Sequence, residues 1–249
     1  MGYKKARDSS FDFPELSLIQ AGWLAPARAR LLRRVNVARR ERALDLGCGS
    51  GAVTPELKRR SGGFVVALDR EIEPLRKNPA AFGSAFRVCG DSSHLPFRDA
   101  SFDLVFSQLA LMWMNPEAAL EEVYRVLRPG GAMAALEPDY GGMIEYPPEI
   151  ASKEIWIQVL ERAGADPFLG RRLPGLLENR GFEIGVHFPE RLEPPSPARW
   201  NLLRTLAPTP GEEKEIGRLE ERERSLSSEK APVIYLPFFF ITAEKPRYS

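Results

Sequence analysis

The stretch Ala43–Ala52, ALDLGCGSGA, places three glycines directly after a short apolar run and before a helix-like segment. Glycines at such a junction let the backbone come close to a nucleotide, because no Cβ stands in the way. Two interpretations are open. Read from Gly47, the letters GCGSGA satisfy a dinucleotide fingerprint, whereas DLGCGSG, read from Asp45, is a different pattern in which an acidic residue precedes the glycines.

Short apolar runs alternate with helix-like segments around this loop. The predicted strands are 43–46, 64–68, 85–89, 102–106 and 133–136, and the predicted helices between them are 53–60, 72–78 and 115–127. Asn115 can cap the last of these helices, Pro116 fits its first position, and Pro129-Gly130 ends it. This alternation predicts an α/β fold with a parallel sheet, right-handed crossovers and helices on both faces. The strands are apolar throughout, as a sheet covered on both faces requires.

The flanking regions are less regular. Residues 15–40 are predicted to be helical, as are 150–162, 173–180 and 212–226, while 182–188 and 238–243 are predicted strands and 189–211 is rich in proline. The chain is therefore interpreted as a single domain, 1–249. Its parts are an N-terminal helical segment (1–40), a cofactor-binding core (41–139), a substrate cap with late elements (140–232) and a terminal strand (233–249).

Composition excludes several classes of protein. Lys and Arg (35) nearly balance Asp and Glu (34), so the formal net charge of +1 gives no whole-molecule field for binding nucleic acid or an anionic membrane. The two cysteines, Cys48 and Cys89, have neither disulfide-framework nor zinc-site spacing. No apolar run reaches the ~20 residues of a membrane span, and the N-terminus lacks the apolar region of a signal peptide. A cytoplasmic location is expected.

Acidic side chains follow the predicted strands at the edge where such a sheet binds ligands. Asp45, Asp69 and Asp91 follow the first three strands, the fourth ends in Ser107-Gln108, and the fifth ends in Glu137-Pro138-Asp139. A dinucleotide with two phosphates prefers backbone N–H groups without clustered carboxylates. An acid-lined crevice suits a ligand with cationic groups and hydroxyls, and S-adenosylmethionine fits that description.

The combination of motifs resembles class I S-adenosylmethionine-dependent methyltransferases. The segments that carry it are DLGCGSG, Asp69, GDSSHLPFRDASFDLVFS and LRPGG, from about Ala43 to Asp139. It is similar in particular to the small-molecule group that includes the ubiquinone/menaquinone-biosynthesis methyltransferases. The resemblance implies a Rossmann-like, seven-stranded and mostly parallel sheet whose last strand, 238–243, is antiparallel. The nicotinamide-binding fold lacks such a strand.

The resemblance also implies roles for single residues. Gly47 and Gly49 would let the backbone approach the methionine part of the cofactor, and Gly51 would allow close helix–strand packing. The predicted cofactor-contacting set is Asp45, Gly47, Cys48, Gly49, Asp69, Arg70, Asp91, Ser92 and Ser107, and the predicted acceptor-contacting set is Gln108, Trp113, Glu137 and Tyr140. Asp69 would bind the ribose hydroxyls and Asp91 the adenine amine, with S-adenosylhomocysteine as product. No catalytic residue and no metal are assigned.

Other interpretations of these residues stay open. Asp91 could instead cap a helix, and Asp45 could act only within the loop. Glu137, Asp139, Tyr140 and His187 are the candidates for a general base, should the acceptor need one. His94 is expected in loop packing. The Arg28–Arg40 run is interpreted as a solvated helix face rather than a site for an anionic substrate.

The predicted function is methyl transfer to a small-molecule acceptor by in-line displacement. A protein or RNA methyltransferase is disfavoured, because the fourth strand ends in SQLA rather than an N-P-P-Y-type tetrapeptide. A non-catalytic cofactor-binding partner subunit and a nicotinamide-dependent oxidoreductase are the remaining alternatives. A fold alone does not decide among them.

Overall fold

The computed structural model describes residues 13–77, 79–188, 198–226 and 232–247. The α-helices are α1 (Phe13–Arg34), α2 (Thr54–Arg60), α3 (Ile72–Lys77), α4 (Pro116–Val126), α5 (Lys153–Arg162), α6 (Leu169–Glu178), α7 (Ala198–Thr205) and α8 (Pro210–Ser225). The β-strands are β1 (Arg42–Leu46), β2 (Phe64–Asp69), β3 (Phe86–Cys89), β4 (Phe102–Gln108), β5 (Leu127–Pro138), β6 (Ile144–Tyr146), β7 (Glu183–His187), β8 (Val233–Tyr235) and β9 (Phe238–Glu244).

The main sheet has seven strands in the order β3-β2-β1-β4-β5-β9-β7. Strands β1 to β5 pair in parallel, and β9 is antiparallel to both of its neighbours, β5 and β7. The predicted mostly parallel sheet with an antiparallel last strand is therefore confirmed. The last strand lies inside the sheet, between β5 and β7, and not at its edge.

Both faces of the sheet are buried along β1, β2, β4 and β5, which explains the continuous apolar runs of these strands, whereas the outer strands β3 and β7 are more exposed. Along β4, Leu104 and Phe106 pack on the side that includes residues of α1 and α2, and Val105 packs on the side that includes residues of α4, α5 and α6. Leu57 of α2 and Val123 of α4 are both fully buried. Helices thus cover both faces, as the alternation of elements predicts.

The second half of the chain departs most from the predictions. Strands β6 and β8 pair as a small antiparallel sheet that the sequence did not predict, because three-residue strands carry no usable periodicity. The proline-rich stretch contains α7, and α8 begins at Pro210, two residues before the predicted start, behind a capping box formed by Thr209 and Glu212. Residues 189–197 of that stretch lie outside the described part of the chain.

Helix α4 and strand β5 meet earlier than predicted. The helix ends at Val126, and Leu127 is already extended and paired with Phe102, so β5 begins six residues before the predicted 133. A register irregularity between Phe102 and Leu104 accommodates the Pro129-Gly130 segment within the strand.

The arginine-rich segment 28–40 is not simply a solvated helix face, and that prediction is wrong for two of its members. Arg28 is 4% exposed and bonded to other side chains. Arg40 donates to the carbonyls of Val35, Asp103 and Gly130. Across the described ranges, no helix combines the length and the apolarity needed to span a membrane.

The cap of α4 provides a test of local stability. Asn115 is exposed and its side chain accepts a hydrogen bond from Ala118 N at 3.1 Å. Replacing Asn115 with Ala removes this acceptor, and we expect the free energy of unfolding in urea to fall by about 1 kcal/mol. Asn115→Asp keeps the acceptor and should unfold at the wild-type urea concentration. Equal midpoints for the Ala variant and the wild type would contradict the assigned cap.

Candidate functional site

The carboxyl ends of β1, β2, β4 and β5 meet at one edge of the sheet, because these strands are parallel and adjacent. The loop after β1 bends across the end of β2. Gly47 N and Cys48 N both donate to the carbonyl of Leu68, at 2.8 and 3.0 Å. The three glycines of the loop have φ of +74°, +51° and +83° at Gly47, Gly49 and Gly51. Such angles strain any residue with a Cβ.

The three glycines are surrounded differently. A Cβ on Gly47 would lie 2.4 Å from the Cβ of Ala110, so this glycine is required by the loop after β4. A Cβ on Gly51 would lie 2.9 Å from the ring of Phe82, in the 3-10 helix Pro79–Phe82, rather than in a helix–strand contact. A Cβ on Gly49 would meet nothing within 4 Å. Open space therefore lies only beside Gly49 among these three.

Asp69 at the end of β2 is bonded to the glycine loop. Its Oδ2 accepts from Gly49 N at 2.8 Å, and its Oδ1 accepts from Glu71 N at 2.9 Å. Each carboxylate oxygen has a further lone pair, so Asp69 can still accept bonds from a ligand. Arg70 is exposed and pairs with Glu71 at 3.4 Å.

Asp45 lies beneath the loop and is 3% exposed. Thr54 Oγ1 donates to its Oδ2 at 2.6 Å, which connects β1 to the first residue of α2. Burial, together with the nearby Asp69 carboxylate, raises the pKa of Asp45 to about 7, although the bond from Thr54 and the charge of Arg28 oppose the shift. Of the two predicted roles, the structure displays the one within the loop region.

The remaining predicted cofactor contacts have varied surroundings. Cys48 is half-buried, and burial together with Asp45 and Asp69 raises the pKa of its thiol, which gives no support for a nucleophile. Asp91 is exposed and its Oδ1 accepts from Ser93 N at 2.8 Å, so it caps a turn rather than a helix. Ser92 beside it is buried.

The end of β4 carries two polar side chains with different partners. Ser107 is fully buried, and its Oγ has no hydrogen-bond partner among the described residues. Gln108 Oε1 accepts from Arg28 Nη1 at 2.9 Å. Leu109 then takes a φ of +56°, which turns the chain sharply into the 3-10 helix Leu111–Trp113. Trp113 packs against the core at the end of this turn.

Glu137 of β5 holds the loop that follows β4. It is fully buried, and its Oε1 accepts from Ala110 N at 3.1 Å and Leu111 N at 2.9 Å. Its Oε2 has no partner among the described residues. Burial raises the pKa of Glu137 to about 8, although the bonds from the backbone amides lower it. The structure thus shows Glu137 bound to the backbone, a role that its sequence position alone did not indicate.

The segment after β5 contacts helices α5 and α6. Tyr140 stacks on Trp156 of α5 with a centroid distance of 5.3 Å and an interplanar angle of 27°, and desolvation raises the pKa of its phenol. Tyr140 N donates to Pro167 O at 2.9 Å. Asp139 is buried and pairs with Arg171 of α6 at 2.7 Å. Trp156 and Arg171 were missed by sequence reasoning, because nothing in their local pattern marks them.

His187, one of the general-base candidates, lies apart from this group, and His94 belongs to the loop after β3, where its N donates to Asp91 O at 3.1 Å. His187 is at the edge strand β7, where its Nε2 lies 3.5 Å from Thr242 Oγ1 and burial lowers its pKa. His94 is exposed, as expected for a loop residue. The structure therefore gathers the ends of β1, β2, β4 and β5 but leaves His187 outside.

Comparisons with known proteins agree with this geometry. Residues 44–135 match a family model described as "Methyltransferase domain". The malonyl-[acyl-carrier protein] O-methyltransferase of Pseudescherichia vulneris is 36% identical over 140 residues, which cover 56% of this chain and 53% of that protein. The chain thus spans about half the length of the curated relatives it matches.

Solved structures share the fold over most of the chain. Geranyl diphosphate methyltransferase, solved in complex with SAM, superimposes with a TM-score of 0.60 at 16% identity, covering 95% of this chain and 92% of that one. The [4+2]-cyclase SpnF superimposes with a TM-score of 0.59 at 20% identity, covering 89% and 81%. At these identities the likeness shows the fold alone. Over residues 44–135, the predicted resemblance to class I S-adenosylmethionine-dependent methyltransferases is therefore confirmed.

The raised pKa of Glu137 predicts a pH-dependent stability. Between pH 4.5, the ordinary pKa of a glutamate, and about pH 8, Glu137 stays protonated in the folded state and is ionised in the unfolded chain. The free energy of unfolding of the wild type therefore falls as pH rises through this range. Glu137→Gln has no such proton to lose and keeps an oxygen for the two amides. Relative to wild type, its free energy of unfolding should rise with pH, by at most ~1.4 kcal/mol per pH unit.

Urea unfolding at several values between about pH 5 and about pH 8 measures this difference. Glu137→Met lacks the acceptor oxygen and should be less stable than Glu137→Gln at every pH. A difference between wild type and Glu137→Gln that does not change with pH would show that Glu137 titrates normally.

Proposed function

We propose that this protein is an S-adenosylmethionine-dependent methyltransferase that moves a methyl group to a small-molecule acceptor by in-line displacement. The observation that carries the proposal is the bond from Gly49 N to Asp69 Oδ2, 2.8 Å, at the carboxyl edge of the sheet. This bond makes the glycine loop and the acidic end of β2 one unit. A nucleoside-bearing ligand needs both, the loop for close approach and the carboxylate for the ribose hydroxyls.

The residues present fit this cofactor. The open space beside Gly49 leaves room for the methionine part, and the free lone pairs of Asp69 can receive the ribose hydroxyls. The unpartnered hydroxyl of Ser107 is a buried polar group that still requires a hydrogen bond. We place Asp91 and Ser92 at the adenine, as predicted from the sequence, and Cys48 and Arg70 at the margin of the same site.

S-adenosylmethionine supplies an already activated methyl group on a sulfonium when it is bound. What the chain must add is orientation of the nucleophile and exclusion of water, which together can supply much of the rate. Glu137 is a poor general base in this arrangement, because its Oε1 is held by two amides and the residue is fully buried. Asp139 is paired with Arg171. We therefore propose a reaction that needs no protein base for acceptors that are ionised at neutral pH.

The acceptor site is proposed at the ends of β4 and β5 under the cap, residues 140–232. The stacked pair Tyr140 and Trp156, with Trp113 nearby in sequence to the end of β4, offers aromatic surface for an apolar acceptor. Gln108 and Glu137 lie at the same edge. Since the relative in Pseudescherichia vulneris is named an O-methyltransferase, oxygen nucleophiles are the first class of acceptor to test.

Alternative functions remain as outcomes of the experiment. SpnF shares the fold and is named a cyclase, so the fold does not by itself establish methyl transfer. A nicotinamide-dependent oxidoreductase is disfavoured by the antiparallel β9 inside the sheet. A cytoplasmic location, a metal-free site and the absence of a nucleic-acid partner are kept as parts of the proposal that derive from the sequence.

Ligand-induced thermal shifts test the cofactor. S-adenosylmethionine and S-adenosylhomocysteine, at a hundredfold their dissociation constants, should each raise the free energy of unfolding by ~2.7 kcal/mol, and NADH should not. Asp69→Ala should abolish the shift, because it removes both the ribose acceptor and the anchor of Gly49. Glu71→Ala is the matched control, because the Glu71 side chain is exposed and its ion pair within the described ranges is with the exposed Arg70.

Methyl transfer is then measured with labelled cofactor against a panel of small carboxylic acids, phenols and alcohols. Product formed from any of them, and lost in Asp69→Ala, supports the proposal. A shift with NADH alone would replace it with the oxidoreductase. Cofactor binding without transfer to any acceptor, including protein and RNA, would favour a non-catalytic subunit.

A further inference from the structure

Arg28 of α1 is a buried cation whose donors are almost all used within the protein. Its Nε and Nη2 donate to Glu56 Oε2 at 2.8 and 2.6 Å. Its Nη1 donates to Ala21 O and to Gln108 Oε1, both at 2.9 Å. The cation therefore connects the N-terminal helix, the helix that follows the glycine loop and the end of β4.

This contact fixes the orientation of the Gln108 amide. A guanidinium has donors only, so the atom of Gln108 that faces Arg28 has to be the oxygen. The amide nitrogen then faces away from Arg28. Among the described residues, no acceptor is hydrogen-bonded to Gln108 Nε2, and this nitrogen is not one of the fully buried unpartnered atoms. Gln108 thus presents a directed, accessible N–H donor.

The donor lies next to the glycine loop. Strand β4 pairs with β1 in parallel, with Asp45 opposite Phe106, and continuing this register places Gln108 opposite Gly47. Ala110, two residues further, is the residue that a Cβ on Gly47 would strike. Gln108 is therefore at the start of the glycine loop, opposite the residue two positions before Gly49, beside which the proposed function places the methionine part of the cofactor.

The loop itself has few amides left to bind an anion. Gly47 N and Cys48 N donate to Leu68 O, Gly51 N donates to Cys48 O, and Gly49 N donates to Asp69. A carboxylate at this position must find donors outside these four amides. The nearby acids Asp45 and Asp69 suit an ammonium group and not a carboxylate.

From these observations we propose that Arg28 is a positioning residue that holds Gln108 so that its Nε2 donates to the carboxylate of the cofactor's amino-acid part. The inference rests on the proposed function, because it requires an adenosyl amino acid in the site. Arg28 is 4% exposed and its donors are directed at Glu56, Ala21 and Gln108, so it acts through Gln108 rather than directly. Glu56 also pairs with Arg60 at 2.8 Å.

Two ligands that differ in the relevant group test this inference. S-adenosylhomocysteine has the amino-acid part, and 5′-methylthioadenosine has the same adenosine thioether without it. Calorimetric titration of wild type and Gln108→Met gives both affinities. We expect Gln108→Met to weaken the binding of S-adenosylhomocysteine at least about tenfold, because the variant lacks the N–H that donates to the ligand's carboxylate. The binding of methylthioadenosine, which has no carboxylate, should change less than about twofold. Gln108 is half-buried and Met fills a similar volume, so the fold should be retained.

A second pair of variants separates positioning from packing. Arg28→Lys keeps the charge beside Glu56 but cannot reach Glu56 and Gln108 together, so it should show the same ligand-selective loss to a smaller degree. Arg60→Met removes a neighbour from the same Glu56 without touching Gln108, and should bind both ligands as wild type does. Thermal unfolding of each variant reports whether the fold is intact.

The outcomes are distinct. An equal loss of both ligands in Gln108→Met, or no loss of either, overturns the inference while binding by wild type still supports the cofactor. Selective loss in Arg60→Met as well would show a general effect of the charge cluster and would also overturn it. Absence of S-adenosylhomocysteine binding by the folded wild type overturns the proposed function and this inference with it.

Discussion

The carbonyl of Leu68 sets the geometry of the whole ligand edge. By accepting the amides of Gly47 and Cys48 it draws the end of β1 across β2. The turn requires left-handed backbone angles at the alternate positions 47, 49 and 51. Such a conformation costs roughly 1–2 kcal/mol for each residue other than glycine. The start of α2 and the reach of Asp69 to Gly49 both follow from it. The glycines of the loop are thus required by the conformation of the turn, and they also allow a ligand to come close to the backbone.

At this edge, carboxylates accept the hydrogen bonds of backbone amides that have no partner on a neighbouring strand. Loops beyond the sheet have backbone amides without ladder partners, and each needs an acceptor. Asp69 accepts two amides and Glu137 accepts two. Asp103, fully buried, likewise accepts from Glu41 N and Arg42 N where β1 begins. Each of these acids thus fixes a backbone segment by accepting its amides, and a loop that is fixed in this way is also preorganised to bind a ligand.

The sequence predicted the core between residues 41 and 139 well, for a physical reason. Parallel strands buried on both faces leave continuous apolar runs, and caps such as Asn115 are local signals. The sequence did not predict the environment of residues whose partners are distant in the chain. Arg28 has the composition of a solvated helix face, and only Glu56 and Gln108, 28 and 80 positions away, make it a buried residue. Likewise, the sequence position of Glu137 did not indicate that two amides of the preceding loop bind its Oε1.

The cap and the glycine loop share a wall, and this arrangement bears on specificity. Asp166 N in the cap donates to Met112 O at 2.8 Å, in the same loop whose Ala110 packs against Gly47. A continuous set of contacts thus leads from Asp166 through residues 110–112, which Glu137 holds, to Gly47. In-line transfer depends on alignment of two ligands to within a fraction of an ångström. Under the proposed function, a substitution near Asp166 that shifts Met112 would alter that alignment without touching either ligand.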